Sequence, residues 1–101
     1  MRIAAIDFDG TLFEHKYPKI GKPIAHNIEL VKRLKGEGWK LILWTCRAGE
    51  LLEEAVEKCK ENGIEFDAVN ANLPEIILLY GDSRKVVADL YFDDKAIRAE
   101  N

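Results

Sequence analysis

Two aspartates one residue apart, Asp7 and Asp9, stand at the end of an apolar run, Ile3 to Ile6. Residues two apart in an extended segment point the same way. The pair therefore crowds one site, and a divalent cation relieves the repulsion. Gly10 and Thr11 follow at once. Glycine lets the backbone turn sharply towards a ligand, and successive N–H groups there can form an anion-binding nest. Further along the chain, Thr45 offers a hydroxyl donor, Cys46 a backbone N–H, and Lys85 a fixed positive charge, with Arg84 beside it as a substitute. Asp93 and Asp94 supply a further carboxylate. Oxygen-only ligands favour Mg2+ over Zn2+, and no His or Cys set competes at zinc-like spacing. A metal, amide donors, a hydroxyl and an ammonium around one point suit a phosphoryl group.

Strands and helices must bring these residues together. The run before Asp7 reads as a strand buried on both faces. A charged Asp is costly inside a core but is accommodated at the carboxyl edge of an open sheet. Residues 24–35 carry Ile24, Ile28, Val31 and Leu34 at helical spacing, stopped by Gly36 and Gly38. Residues 40–45 read as a second buried strand, with Trp44 adding bulk to the core. Residues 49–62 form a second helix with Leu51, Leu52, Ala55, Val56 and Cys59 inside. Its outer row of Glu50, Glu53, Glu54, Glu57 and Glu61 reads as a solvated face. Residues 64–69 are a third strand, 74–79 a short helix or, over Ile76 to Tyr80, a strand, Gly81-Asp82-Ser83 a turn and 86–89 a helical turn. Asp82 and Asp89 read as turn and capping residues. Residues 90–92 lead as a fourth strand into Asp93. This alternation predicts a parallel sheet with right-handed crossovers. Three strand ends, at Asp7, Thr45 and Asp93, then converge on one edge.

Residues 13–23 read as a loop by their Pro and Gly content. The loop leaves beside the Asp pair and carries His15, Lys16, Tyr17, Lys19 and Lys22. It is either a solvated loop or a flap that meets substrate through His15 and Tyr17. Arg47 is assigned either a substrate contact or an exposed ion pair, and His26 a place on the surface.

The chain has 101 residues and a net charge of −3, which fits a single domain over 1–101. The negative balance argues against a nucleic-acid-coating role. Nothing in the sequence suggests secretion, no apolar run approaches the ~18 residues of a membrane span, and the first strand begins without a signal segment. A cytoplasmic protein with free Cys46 and Cys59 is expected, without membrane association.

The stretch DFDGTL, Asp7 to Leu12, resembles the first motif of the haloacid dehalogenase-like (HAD) phosphohydrolases. WTCR, Trp44 to Arg47, resembles the second, with Thr45 in the Ser/Thr position. Lys85 matches the lysine of the third and YFDD, Tyr91 to Asp94, the acidic fourth. The resemblance implies a three-layer Rossmann-like α/β fold, with a parallel sheet of about four strands and flanking helices. It implies a phosphatase in which Asp7 is the nucleophile and forms an aspartyl-phosphate. Asp9 is then the general acid/base. Mg2+ is held by Asp7, the backbone carbonyl of Asp9 and Asp93, with Asp94 assisting. Thr45 and Lys85 grip the phosphoryl oxygens. The spacing leaves no room for an inserted cap domain, as in the capless members, nor for a fifth strand, so association is expected to cover an exposed edge. The expected partner is a small phosphorylated substrate. The alternatives are a phosphoryl-transfer or nucleic-acid end-processing enzyme, and a non-catalytic phosphoryl-binding module.

Overall fold

The computed structural model describes residues 1–71, 73–74, 77, 87–95 and 97–99. Its centre is β1 (Ile3–Ile6), four residues that are buried throughout. It is followed by β2 (Phe13–Lys16), β3 (Lys19–Pro23), α1 (Ala25–Gly36), β4 (Lys40–Leu43), α2 (Gly49–Glu61), β5 (Ala68–Val69), β6 (Leu90–Phe92) and β7 (Ile97–Ala99). The main sheet has the order β5-β4-β1-β6-β7. Its first four strands run parallel, and β7 pairs antiparallel with β6. Among the described residues the fold is thus mixed α/β, with four parallel strands and the two helices α1 and α2.

Alternation along β1 builds two cores. Ala4 and Ile6 pack in one cluster with Leu41 and Leu43 of β4, Ile28 and Val31 of α1, and Ala55 and Cys59 of α2. Both helices therefore cover the same face of the sheet. Ile3 and Ala5 point the other way, into a cluster with Ile42, Leu73 and Ala88. Burial in the first cluster pushes the Cys59 thiol up to about 12. Cys59 is a free thiol in the core, and Cys46 is free and exposed.

The strand order also fixes where a ligand can enter. From β1 the chain moves outward to β4 and β5, then returns to the far side of β1 as β6. Connections therefore diverge between β1 and β6. Open α/β sheets leave a crevice beyond the carboxyl ends of the strands at such a point. Asp7 follows β1 there, and Asp93 follows β6.

Several expectations need correction. Residues 13–23 are an antiparallel hairpin of β2 and β3, with a bulge between Phe13 and His15 and a cis peptide between Tyr17 and Pro18. Gly21 lets the strands approach, because a Cβ there would overlap the Glu14 carbonyl. A fifth strand does exist: a return of only three residues, β7, pairs with β6. With β7 in place the edge strands of the sheet are β5 and β7, and β6 is not an edge. Trp44 lies just past β4 and is 41% exposed, so it does not fill the core. The third strand shrinks to Ala68–Val69, since the Asp67 carboxylate accepts the Leu41 N–H at 2.8 Å in place of a backbone carbonyl. Residues 87–89 are not helical, as the Asp89 N–H donates to the Ile3 carbonyl at 2.8 Å. Pro74 and Ile77 are helical, and the Ile77 N–H donates to the Leu73 carbonyl. The rest of that expected helix and the turn at Gly81-Asp82-Ser83 lie outside the described residues. Among the described residues, no helix is long and apolar enough to cross a membrane.

Candidate active site

A tight turn follows β1. The Phe8 carbonyl accepts the N–H groups of Thr11, Leu12 and Phe13 at 3.2, 3.0 and 3.4 Å, and the Gly10 N–H donates to the Phe13 carbonyl at 2.8 Å. Gly10 has φ +82°, and a Cβ on it would stand 3.1 Å from the Asp94 Cβ. This position therefore needs glycine twice, for its backbone conformation and for the close passage of Asp94. The turn is anchored to α1, where the Asn27 side chain donates to the Thr11 carbonyl at 2.8 Å.

This geometry revises the anion nest expected at Gly10 and Thr11. Their N–H groups are spent on the Phe13 and Phe8 carbonyls. Thr11 is wholly buried, and its hydroxyl donates to Asp7 Oδ2 at 3.3 Å. Thr11 supports the Asp7 carboxylate and does not face the cavity.

Asp7 is half-buried at the crevice. Burial holds its carboxyl above the usual range. The Phe8 N–H and the Thr11 hydroxyl pull the other way, and the charges of Asp94 and Asp9 add to the rise. The carboxyl lifted by its surroundings is thus the one expected to attack.

Asp9 is differently placed. Arg47 donates from Nε to Asp9 Oδ2 at 2.9 Å and from one terminal nitrogen to Oδ1 at 2.8 Å. This is a two-pronged pair in which both carboxylate oxygens accept. Arg47 is 1% exposed, against the expectation of an exposed ion pair. A buried guanidinium must be fully partnered, and this one also donates to the Pro18 and Lys19 carbonyls at 3.1 and 2.9 Å. It lies between the rings of Phe8 and Tyr17, 5.0 and 5.2 Å from their centroids. Hydrogen bonding to Asp9 raises its already high affinity for its proton.

Thr45 stands beyond β4. Its N–H donates to Asn70 Oδ1 at 2.7 Å, and its hydroxyl oxygen accepts the Arg47 N–H at 3.2 Å. Accepting that bond leaves the hydroxyl proton to donate. Asn70 escaped the sequence reading. It adopts φ +50°, a conformation that asparagine tolerates better than most residues, and its N–H donates to the Leu43 carbonyl at 2.7 Å. It braces the loop 45–47 from β5. An Asn directly after a short apolar strand was the available signal.

A cavity of about 360 Å³ is lined by Asp7, Asp9, His15, Tyr17, Thr45, Cys46, Arg47 and Asp94. The structure thus gathers most of the expected residues and makes the hairpin one wall of the site. Asp93 lines a separate pocket of about 130 Å³, shared with Asp7 and Trp44, and its Oδ1 accepts the Lys95 N–H at 3.0 Å. Of the acidic pair, Asp94 is the one on the main cavity. Lys85 and Arg84 lie outside the described residues. Among the described residues, no group of three or more His, Cys, Asp or Glu is gathered to hold a metal ion. His26 is exposed, as expected.

No family model matches the chain, and no curated relative matches it. A solved structure of a conserved protein from Bacteroides thetaiotaomicron is similar, with a TM-score of 0.83 and 49% sequence identity. The match covers 93% of this chain and 76% of that one.

Proposed function

Since the chain belongs to the same family as that conserved Bacteroides protein, we propose from its own site that it is a Mg2+-dependent phosphatase that hydrolyses a phosphate monoester through an aspartyl-phosphate on Asp7. The carrying observation is the placement of Asp7. Its carboxylate sits at the switch point of the sheet, half-buried, facing a cavity that also holds Thr45 and Asp94. A three-layer HAD-like arrangement and a cytoplasmic setting belong to the same proposal.

In the first step an Asp7 oxygen bonds to phosphorus as the bond to the ester oxygen breaks. Asp9 gives that leaving oxygen a proton. In the second step Asp9 takes a proton from water as the water oxygen bonds to phosphorus, which frees phosphate and restores Asp7. Each Asp9 oxygen accepts one bond from Arg47 and keeps a second lone pair, which can carry the proton while the fork holds the carboxylate in place. The Thr45 hydroxyl donates to a phosphoryl oxygen, and Lys85 is assigned the same task.

The donor set suits Mg2+ with few protein ligands. Asp7 and Asp94 offer carboxylate oxygens on one cavity, Asp9 offers its backbone carbonyl, and Mg2+ keeps several waters in such sites. Asp93 is the further acid at that edge. Bound there, the ion would offset the negative charge of the phosphoryl group and of Asp7, whose carboxyl is raised by burial first and by the charges of Asp94 and Asp9 in addition.

The cavity lies at the low end of the ~300–1,000 Å³ usual for ligand sites, which favours a small ester. An adjoining groove of about 700 Å³ is lined by Glu53, Glu54, Glu57 and Glu61 with Lys19 and Lys58. A polyanion leaving the site on that side meets net negative charge, which disfavours a nucleic-acid end. The test is a panel of small phosphate esters and 5′- and 3′-phosphorylated oligonucleotides, each with Mg2+ or with chelator. Release of phosphate from small esters is expected, dependent on Mg2+ and lost in Asp7→Asn. An inert wild-type chain across the panel sinks the proposal, and a strong preference for the oligonucleotides overturns the choice of substrate.

A further inference from the structure

Arg47 is the largest fully buried side chain among the described residues, and it joins three parts of the molecule. Two of its nitrogens fork onto Asp9, which follows β1. Its terminal nitrogens also reach the Pro18 and Lys19 carbonyls at the tip of the β2–β3 hairpin. Its own N–H fixes the Thr45 hydroxyl oxygen. Tyr17, half-exposed on the hairpin, lies against the same guanidinium that Phe8 supports from below.

We propose that Arg47 is a positioning residue that couples the hairpin to the acid/base group: one guanidinium seats residues 17–19 over the Asp7 cavity and sets the orientation of the Asp9 carboxylate. The inference rests on the phosphatase reading for its kinetic consequence, but not for the coupling itself. The hairpin then takes the part of a cap. It is a short ribbon whose outer surface is largely exposed, so little apolar packing holds its tip down. Four hydrogen bonds from a single planar group tie tip and carboxylate together. A lysine in this position brings charge without the fixed fork, so it cannot satisfy both sides at once.

The experiment compares wild type with Arg47→Lys, and with Arg47→Gln should the lysine variant not fold. Three quantities are read: amide hydrogen exchange along residues 14–22, the Asp9 side-chain rotamer from NMR couplings, and kcat and KM on the best ester. Exchange at the hairpin is expected to speed up by at least about 10-fold while α2 and β4 hold their protection. Asp9 is expected to pass from one rotamer to several. With the carboxylate misplaced, kcat falls by about 10²-fold, while KM moves by less than about threefold.

Faster hairpin exchange with Asp9 still in one rotamer overturns the coupling, as does rotamer averaging under a protected hairpin. Equal loosening of α2 and β4 also overturns it, since Arg47 is then a general prop. If wild type hydrolyses no ester, the phosphatase reading falls, and the exchange and rotamer data still decide the coupling.

Discussion

The two edges of one sheet use the same residue type for opposite ends. At the amino edge, Asp67 precedes β5 and Asp89 precedes β6. Each clasps the start of the neighbouring strand. The Asp67 N–H donates to the Leu41 carbonyl at 2.8 Å while its carboxylate accepts the Leu41 N–H at 2.8 Å. Asp89 repeats both bonds with Ile3, at the same distances. At the carboxyl edge, Asp7, Asp9 and Asp94 face one cavity. Burial raises the Asp67 carboxyl too, but the Leu41 N–H and Lys35 outweigh it and leave the group below its usual range. At Asp7 the corresponding donors, Phe8 N–H and the Thr11 hydroxyl, do not outweigh burial and the neighbouring acids. The amino edge thus stabilises the charge of Asp67, and the carboxyl edge holds that of Asp7 at a cost. On the proposed reading, a bound cation would offset that cost.

Asp7→Asn breaks the contrast most sharply. Activity on the best ester is expected to fall by about 10³-fold or more, because an amide cannot form the acyl phosphate. Stability is expected to move the other way. An acid raised in the folded state binds its proton more tightly there than in the unfolded chain. Its contribution therefore declines as pH rises from the unfolded value towards the folded one and is least above both. Without Mg2+, Asp7→Asn should melt at a higher temperature than wild type at pH 7, and the gap should close below about pH 4. A lower melting temperature at pH 7 removes the claim that this edge carries a cost.

Asp67→Ala tests the other edge. It leaves the Leu41 N–H unpartnered, at an expected loss of about 1–3 kcal/mol by urea unfolding at pH 7. The pH dependence has the opposite sign to that of Asp7. A carboxyl lowered in the folded state contributes stability above its unfolded value, near ~3.9. That stability drains away as pH falls through the lower, folded value. Wild type should therefore lose the charge-dependent part of its advantage over Asp67→Ala as the pH is taken below about 4, while the neutral carboxyl still accepts the Leu41 N–H. A constant difference from pH 7 to pH 2 rules out the charge as its source.

How much of this was legible depended on whether a feature is written in neighbouring residues. β1, α1, β4 and α2 came through because apolar runs and helical spacing are local. Their parallel order followed from the alternation. The hairpin did not come through. Its faces are mostly exposed, so β2 and β3 show no apolar alternation, and Pro18, Gly21 and Pro23 read as loop punctuation. β7 was overlooked because an antiparallel return after β6 needs only a few residues. At the candidate site, residue type and strand-end position singled out Asp7, Asp9 and Thr45, which line one cavity. The burial of Arg47 was not, since its partner Asp9 lies 38 residues away and nothing local marks the contact. The clasp by Asp67 was hidden for the same reason: it is an aspartate within an apparent strand whose partner is 26 residues away.

The smallest expected effect separates the two sources of the Asp67 charge preference. Lys35 Nζ stands 2.9 Å from Asp67 Oδ2, but its side chain is 41% exposed. Water and salt screen such a pair, and exposed pairs contribute about 0.2–1 kcal/mol. The Leu41 N–H, part-buried and fixed by the sheet, is the steadier donor. Lys35→Met should therefore cost under about 1 kcal/mol at low salt, and the loss should shrink further near 1 M salt, where the Debye length is about 3 Å. The Asp67 carboxyl should remain below its usual range in this variant, because the backbone donor is still in place. If Lys35→Met instead matches Asp67→Ala in both size and pH dependence, the lysine is the principal partner. The amino edge then owes its stability to a surface ion pair and not to the strand it clasps.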